Sequence, residues 1–243
     1  MSLPKKNDLY ANYVSTHAGK KNSALAANEA VLYSQFDRNF LNILRDFRKN
    51  STILDLGCGN GVLLRWLQDR GYSNCLGIDL SQQQIEQGQM LGSQNLTVGN
   101  ILDTAVYTKC DVIFLRDVIE HLDIDEVLKL FTLAHEHLNA GGLIVVQTVN
   151  GDSPICNTTL YADATHRFAY NERSMRQLFS LTGFNMSIIR PWFRFGDSAK
   201  GRIINTLIKT ALLFRRLRIM LELGNVSRVQ TINCIFVGEK DEI

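Results

Sequence analysis

The stretch Ile53–Gly61, which reads ILDLGCGNG, decides how this chain folds. Its first residues are mostly apolar, as in a buried strand, and glycines then stand at positions 57, 59 and 61. Apolar residues resume at helical spacing from Val62, so the order is strand, glycine loop, helix. A loop without Cβ atoms lets a ligand approach the backbone closely, and the free N–H groups at the helix start favour an anionic group. The stretch therefore predicts a binding site at the end of the first strand.

The glycine spacing and one downstream carboxylate narrow the kind of ligand. A dinucleotide-binding loop has the pattern G-x-G-x-x-G, whereas here the third glycine comes one residue early. Asp79 ends a second apolar stretch, Leu76–Leu80, where a carboxylate can accept both hydroxyls of a ribose. Asp79 could instead cap a helix, although Ser81 is available for that role. Together the loop and the carboxylate indicate a nucleoside ligand.

Four stretches in order resemble the successive motifs of class I S-adenosylmethionine-dependent methyltransferases. They read ILDLGCGNG, GIDLS, DVIFLRDVIEHL (111–122) and LNAGGLIVVQTVN (138–150). The alternation of strands and helices is itself that of an α/β protein. The resemblance implies a Rossmann-like sheet of seven strands, mostly parallel with an antiparallel last strand, and helices on both faces. It also implies S-adenosylmethionine as cofactor and S-adenosylhomocysteine as product.

The length of 243 residues suits one methyltransferase domain spanning 1–243. Within it we expect an N-terminal lid and helix (1–49), a cofactor-binding core (50–190), a basic helical insertion between strands six and seven (191–231) and a last strand (232–240). Tyr10, Tyr13 and His17 are the rings proposed for the lid, although the segment could equally pack elsewhere or be loose. No apolar run reaches the ~20 residues that span a bilayer, and the N-terminus lacks a signal-peptide core. The cytoplasm is therefore the expected location.

The resemblance also assigns the cofactor side of the cleft. It implies that Asp55 and the loop backbone orient the methionine portion, and that Asp79 binds the ribose. Asn100 stands where the family often has an aspartate that accepts from the adenine amino group; its side-chain carbonyl can still accept, and Asp103 is a substitute. The predicted cofactor-binding residues are Asp55, Gly57, Cys58, Gly59, Gly61, Asp79, Leu80, Asn100, Ile101 and, at the methionine end, Arg116 and Asp117.

Three residues are candidates for the base that removes a proton from the acceptor. His121 and Glu120 form an E-H pair after the fourth strand, and His166 lies in the polar loop YADATHRFAYNERSM after the fifth. A histidine is suited to this role because a neutral imidazole is available near pH 7. Each histidine could instead be a structural hydrogen-bonding residue. The acceptor is expected to be a small molecule or glycan methylated at oxygen, as in bacterial polysaccharide- or quinone-modifying methyltransferases, which the chain resembles with low specificity.

Metal and thiol chemistry are not expected. The five cysteines are scattered without C-x-x-C spacing, so neither a zinc site nor a disulfide framework is indicated. Cys58 lies in the glycine loop, but no base partner can be assigned to it, and a structural role is the interpretation. Asp163 and His166 alone do not make a metal site.

The basic residues are unevenly distributed. The net charge is +2, yet eight Lys or Arg and only two acidic residues fall between 191 and 231. Within this part, 201–224 reads as a basic helix with apolar residues interleaved. It could cover the cleft, form a homodimer face or lie on the inner face of the membrane as a peripheral contact. Nucleic acid is not expected as a partner, because no aromatic stacking platform is interleaved with the charge.

Two other functions remain open from the sequence. A nucleotide-cofactor oxidoreductase would also use a strand, glycine loop and helix, but the glycine spacing disfavours it. A catalytically inactive methyltransferase fold serving as a binding subunit is consistent with Asn100 and the unassigned base. The intact glycine loop argues against that second alternative.

Overall fold

The structure is a computed structural model that describes residues 25–193, 198–224, 227 and 229–241. The lid residues proposed above, Tyr10, Tyr13 and His17, lie outside this range. The strands are β1 (Thr52–Leu56), β2 (Asn74–Asp79), β3 (Leu96–Val98), β4 (Cys110–Arg116), β5 (Leu138–Val149), β6 (Phe184–Pro191) and β7 (Asn233–Lys240). The α-helices are α1 (Leu25–Leu44), α2 (Val62–Asp69), α3 (Gln82–Met90), α4 (Ile124–His137), α5 (Cys156–Leu160), α6 (Glu172–Leu181) and α7 (Ala199–Leu223).

The seven strands form one sheet in the order β3-β2-β1-β4-β5-β7-β6. β1 to β5 pair in parallel, whereas β7 runs antiparallel to both of its neighbours, β5 and β6. The predicted Rossmann-like fold with an antiparallel last strand is thus confirmed. Because β6 and β5 both oppose β7, β6 also ends, and β7 begins, at the edge where β1, β2, β4 and β5 end. The carboxyl ends of parallel strands are where open α/β sheets place ligands.

Helices cover both faces of the sheet, as predicted. On one face α1 and α2 bury an aromatic group in which Phe40 packs against Trp66 and Phe114, with a ring-centroid distance of 5.1 Å to Phe114. On the other face α4 and α6 meet through Phe131 and Phe179, whose ring centroids are 5.3 Å apart. These two layers hold the strand ends rigidly, which is what a binding site at that edge requires.

The helix boundaries agree with the sequence signals at several points. Ser81 caps α3, and Asp123 with Glu126 forms the predicted capping box of α4. The sequence favours a stop for this helix at Gly141 and Gly142, and this expectation is wrong, because α4 ends at His137 and β5 begins at Leu138. The two glycines lie inside β5, where Gly141 has a φ of 70° and the pairing with β4 shifts register.

Truncating Phe40 tests the packing of α1 on the sheet. Phe40 is fully buried, so Phe40→Ala should lower the free energy of unfolding by about 3–5 kcal/mol in urea denaturation. The neighbouring Leu41, 37% exposed, is the matched control, and Leu41→Ala should cost less than about 1 kcal/mol. Equal losses from the two variants would show that α1 does not pack as described.

Candidate active site

A cleft of about 440 Å³ opens at the carboxyl edge of the sheet. Its walls come from the glycine loop after β1, the end of β2, the segment after β3 and the turn after β4. Most of the predicted cofactor-binding residues meet there. The lining includes Gly57, Cys58, Gly59, Asp79, Leu80, Asn100, Ile101, Arg116, Asp117 and His121.

The three loop glycines all have positive φ, at 76°, 54° and 71°, but they are required for different reasons. A Cβ on Gly57 would overlap a methyl of Val118, and one on Gly61 would lie 2.8 Å from Ser93 Oγ. At Gly59 only Gln84 comes within 4 Å, at 3.9 Å. The prediction that glycines keep the cleft open for a ligand therefore applies to Gly59, whereas at the other two positions the protein's own packing excludes a side chain.

Asp79 joins the glycine loop to the end of β2. Its Oδ2 accepts a hydrogen bond from the backbone N–H of Gly59, and its Oδ1 accepts one from Ser81, both at 2.8 Å. Burial raises the pKa of Asp79, and these two bonds oppose the shift. Each oxygen retains a second lone pair, so the carboxylate is held in place and can accept two hydroxyl groups. Ser81 is the N-cap of α3, which leaves Asp79 for the ligand side.

Asp55 lies in a different environment from Asp79, because it pairs with Gly77 on β2, two residues further from the carboxyl edge. Its side chain is 1% exposed, and neither oxygen has a hydrogen-bond partner in the described part of the chain. Burial raises its pKa to about 7, against the attraction of Arg116. Asp55 does not line the cleft. The predicted role of Asp55 in orienting the methionine portion would therefore be indirect, through the glycine loop and Arg116, and not through a contact of its own with the ligand.

Asp117 holds a strained backbone conformation at the end of β4. Its φ is 55°, which is uncommon for a residue with a side chain. Its Oδ1 accepts hydrogen bonds from Gln147 Nε2 at 2.6 Å and from Asn233 Nδ2 at 3.2 Å, and its N–H donates to the Gln147 carbonyl at 2.9 Å. β5 and β7 thus fix this wall of the cleft. Gln147 and Asn233 were not predicted, although a glutamine in the otherwise apolar run LIVVQTV was the available signal.

The adenine side of the predicted site is lined by Leu80, Asn100 and Ile101. Asn100 Oδ1 already accepts from the backbone N–H of Leu102 at 2.9 Å, so one of its two lone pairs is used. The proposed substitute, Asp103, does not line the cleft. Its Oδ1 accepts instead from Ala105 N–H and begins a short 3-10 turn. The structure therefore supports Asn100 and not Asp103 as the polar group on this side.

A chain of hydrogen bonds leads from Asp163 to His121, which lines the cleft. Thr165 Oγ1 donates to Asp163 Oδ1 at 2.6 Å, and His121 Nδ1 lies 2.7 Å from the same Oγ1. Because the single hydroxyl hydrogen of Thr165 is used on Asp163, the His121 Nδ1 must carry the donated hydrogen. The lone pair of His121 is then on Nε2. This is the tautomer that a base aligned by a carboxylate adopts.

His166 lies beside His121, and the centroids of the two rings are 4.6 Å apart. Its Nδ1 donates to the Thr159 carbonyl at 3.1 Å, but His166 does not belong to the cleft lining. Both histidines were predicted as candidate bases. The structure places them side by side, but only His121 lines the cleft.

Glu120 does not reach the cleft. Its side chain is 1% exposed, and its Oε2 accepts from Thr148 Oγ1 at 2.8 Å. Burial, followed by the nearby charge of Asp117, raises its pKa to about 8. Its backbone carbonyl accepts from Arg167 N–H at 2.7 Å, which ties the loop after β5 to the end of β4. The prediction of Glu120 as a base is corrected accordingly: in this position it supports the loop that carries Asp163 and Thr165.

The environment of Cys58 does not suit a nucleophile. Its thiol is buried, and burial raises its pKa far above the usual range, so it stays protonated at neutral pH. In the part of the chain that the structure describes, no group of three or more His, Cys, Asp or Glu side chains is arranged to hold a metal ion.

The chain matches the family model described as a methyltransferase domain over residues 29–187. It therefore belongs to the methyltransferase-domain family, and the resemblance found in the motifs is confirmed at that level. No curated protein sequence matches the chain significantly.

Solved structures resemble the fold over nearly the whole chain. One is a SAM-dependent methyltransferase from Archaeoglobus fulgidus, with 17% identity and a TM-score of 0.63 over 90% of this chain and 100% of that one. Another is the magnesium protoporphyrin IX methyltransferase from Synechocystis PCC 6803 with bound SAH, with 12% identity and a TM-score of 0.61 over 98% and 100% of the two chains. At these identities the likeness shows the fold, which is that of Rossmann-like methyltransferases.

The buried carboxyl of Glu120 should make stability depend on pH. A carboxylic acid whose pKa is raised in the folded state stabilises the fold below its unfolded pKa of about 4.3, and that contribution is lost as pH rises to about 8. Glu120→Gln keeps the shape without the ionisation. Relative to the wild type, the variant should gain about 2–4 kcal/mol of unfolding free energy between pH 5 and pH 9, measured by urea denaturation. A difference between the two proteins that does not change with pH would contradict the assignment.

Proposed function

We propose that this chain is an S-adenosylmethionine-dependent methyltransferase that acts on an oxygen atom of a small-molecule or glycan acceptor. The observation that carries the proposal is the juxtaposition, in one cleft, of the Asp79-anchored glycine loop and of His121 aligned by Thr165 and Asp163. The first suits a ribose, and the second suits removal of a proton from a hydroxyl group. We place the chain in the bacterial branch that modifies small molecules, glycans or quinones, and in the cytoplasm.

Each part of the cofactor has residues that fit it. The Asp79 carboxylate would accept the ribose hydroxyls, and Leu80 and Ile101 would contact the adenine, with Asn100 at its polar edge. The open space at Gly59 leaves room for the ligand against the loop backbone. S-adenosylmethionine, when bound, supplies the methyl group as an activated sulfonium. The protein then has mainly to align the acceptor oxygen with that group.

His121 is the residue we propose as the base. With its hydrogen fixed on Nδ1, its Nε2 can accept the acceptor's hydroxyl proton while the oxygen forms its new bond to carbon. The resulting imidazolium is stabilised through Thr165 by the Asp163 carboxylate, at 2.7 and 2.6 Å along the chain. This arrangement fixes the tautomer of the ring without exposing the carboxylate to the acceptor. His166, behind His121, would position the ring and not contact the acceptor.

A matched pair of glycine variants tests cofactor binding. Gly59 and Gly92 both have positive φ, at 54° and 87°, and neither has a protein atom close enough to clash with a new Cβ. Gly59→Ala and Gly92→Ala should each lose about 1–2 kcal/mol of stability. Only Gly59→Ala should also lose the thermal stabilisation by S-adenosylhomocysteine, with at least a tenfold weaker Kd in calorimetry, because only Gly59 lines the cleft.

NAD is the control ligand for the same titrations. The wild type should be stabilised by S-adenosylhomocysteine and not by NAD. Stabilisation by NAD instead would favour the oxidoreductase alternative. Failure of both ligands would contradict the proposed function.

Replacing the histidines separates the base from its neighbour. With turnover followed as S-adenosylhomocysteine release on a panel of phenols, hydroxy acids and glycosides, His121→Gln should lower kcat about 10²–10⁴-fold without changing cofactor affinity. Thr165→Val should also lower kcat, because His121 Nδ1 loses the hydroxyl that fixes the tautomer of the ring. If His166→Gln gives the larger loss and His121→Gln the smaller, the roles of the two residues are reversed. If neither variant is impaired, histidine base catalysis is excluded.

A further inference from the structure

The outward face of α7 carries a row of apolar side chains that nothing in the described structure covers. We call the six residues that follow one another in steps of four and three the α7 stripe: Ile203, Leu207, Thr210, Phe214, Leu217 and Leu221. The five apolar members are between 53% and 78% exposed. Steps of this kind place side chains on one side of a helix, so the stripe is a continuous surface roughly 27 Å long.

The opposite side of α7 is the one turned toward the protein. Gly201 and Asn205 are buried there, and Ile204, Ile208 and Leu212 are half-buried. No residue of α7 in the described ranges lines the cleft, so the expectation that this helix covers the cleft has no support from the geometry. Within the ranges that the structure describes, the stripe has no partner. No helix in the described ranges, α7 included, is long and apolar enough to cross a membrane.

Basic residues border the stripe on both sides. One flank carries Arg202 and Lys209, whose Nζ lies 4.8 Å from the centroid of the Phe193 ring, and the other carries Lys200, Arg215 and Arg218. The single acid in the helix, Glu222, accepts from Arg218 Nε at 2.8 Å and so reduces the charge of one flank only. An apolar centre with cations on both edges is the arrangement of helices that lie in a membrane interface.

The charge pattern distinguishes between two occupants. If the stripe packed against the same stripe of a second copy, basic flanks would face basic flanks in either orientation, which costs binding energy. An anionic lipid surface suits the whole face, because the apolar side chains enter the acyl boundary while the cations reach the phosphates. We propose that the α7 stripe and its basic flanks bind the surface of an anionic phospholipid bilayer.

The position of α7 in the fold connects this surface to the cleft. The helix lies between β6 and β7, and β6 ends and β7 begins at the edge of the sheet where the cleft opens. Asn233, the first residue of β7, donates to the cleft residue Asp117. A bilayer bound to α7 is therefore held by an element attached at the cleft edge, which would keep the protein near acceptors at the membrane surface.

Flotation of the full chain with vesicles tests the proposal. Vesicles of phosphatidylcholine alone are compared with vesicles containing 30 mol% phosphatidylglycerol. The wild type should float with the anionic vesicles at least tenfold better than with the neutral ones, and added salt should weaken binding. The double variant Phe214→Asn with Leu217→Asn should lose at least tenfold in binding. Lys209→Gln with Arg218→Gln should lose about tenfold and become less sensitive to salt.

Leu181→Asn is the matched control, because Leu181 is 75% exposed at the end of α6, away from α7. It should float as the wild type does. Absence of flotation with both vesicle types, or equal losses from Leu181→Asn and the stripe variant, overturns the proposal. A dimer in light scattering that the stripe variant dissociates, without flotation, assigns the stripe to a second copy instead. Stabilisation by S-adenosylhomocysteine is measured in parallel, so failure here leaves the proposed methyltransferase function untouched.

Discussion

The bidentate hydrogen bonding of Asp79 is the constraint on which the cleft depends. One carboxylate accepts from Gly59 in the loop after β1 and from Ser81 at the start of α3, so three elements are fixed by one side chain. The three loop glycines have positive φ, and the N–H groups of Gly57 and Cys58 also donate to the Ile78 carbonyl of β2. Asp79 adds the acceptor for the Gly59 N–H, at the centre of the loop. The ligand surface is therefore set before any ligand arrives, which lowers the entropic cost of binding.

A second group of buried polar side chains lies behind the cleft. These side chains fix the segment after β4, as Asp79 fixes the glycine loop. Gln147 and Thr148 are neighbours on β5, yet they point to opposite sides of the strand, the first to Asp117 and the second to Glu120. One strand thus fixes both the strained turn after β4 and the residue that anchors the loop of Asp163. Burying polar groups in this way is costly, and Gln147 Oε1 has no hydrogen-bond partner in the described structure, but Gln147 Nε2 and Thr148 Oγ1 each place another residue.

Much of the fold could be predicted from the sequence because its signals are local. The glycine loop, the Ser81 cap and the Asp123 capping box each need only a few neighbouring residues to be recognised. The site was predicted less completely. Glu120 and His121 are adjacent in sequence, and no local pattern tells that one side chain is buried under the cleft while the other lines it. That difference comes from the loop after β5, whose Thr165 reaches His121 across 44 positions of sequence.

The helical insertion is a second part of the chain whose role the sequence alone does not decide. Along α7 apolar residues occur in adjacent pairs, such as Ile203 with Ile204 and Leu207 with Ile208. In these two pairs the second member faces the protein and the first faces outward, so the sequence alone shows no single apolar face and cannot choose between a lid, a dimer and a membrane contact. Only burial separates the two rows. The outward row is mostly exposed in the described structure and is a liability for solubility, which cations on both flanks reduce by like-charge repulsion. The same cations become favourable contacts on an anionic surface, so one set of charges both opposes self-association and selects the partner.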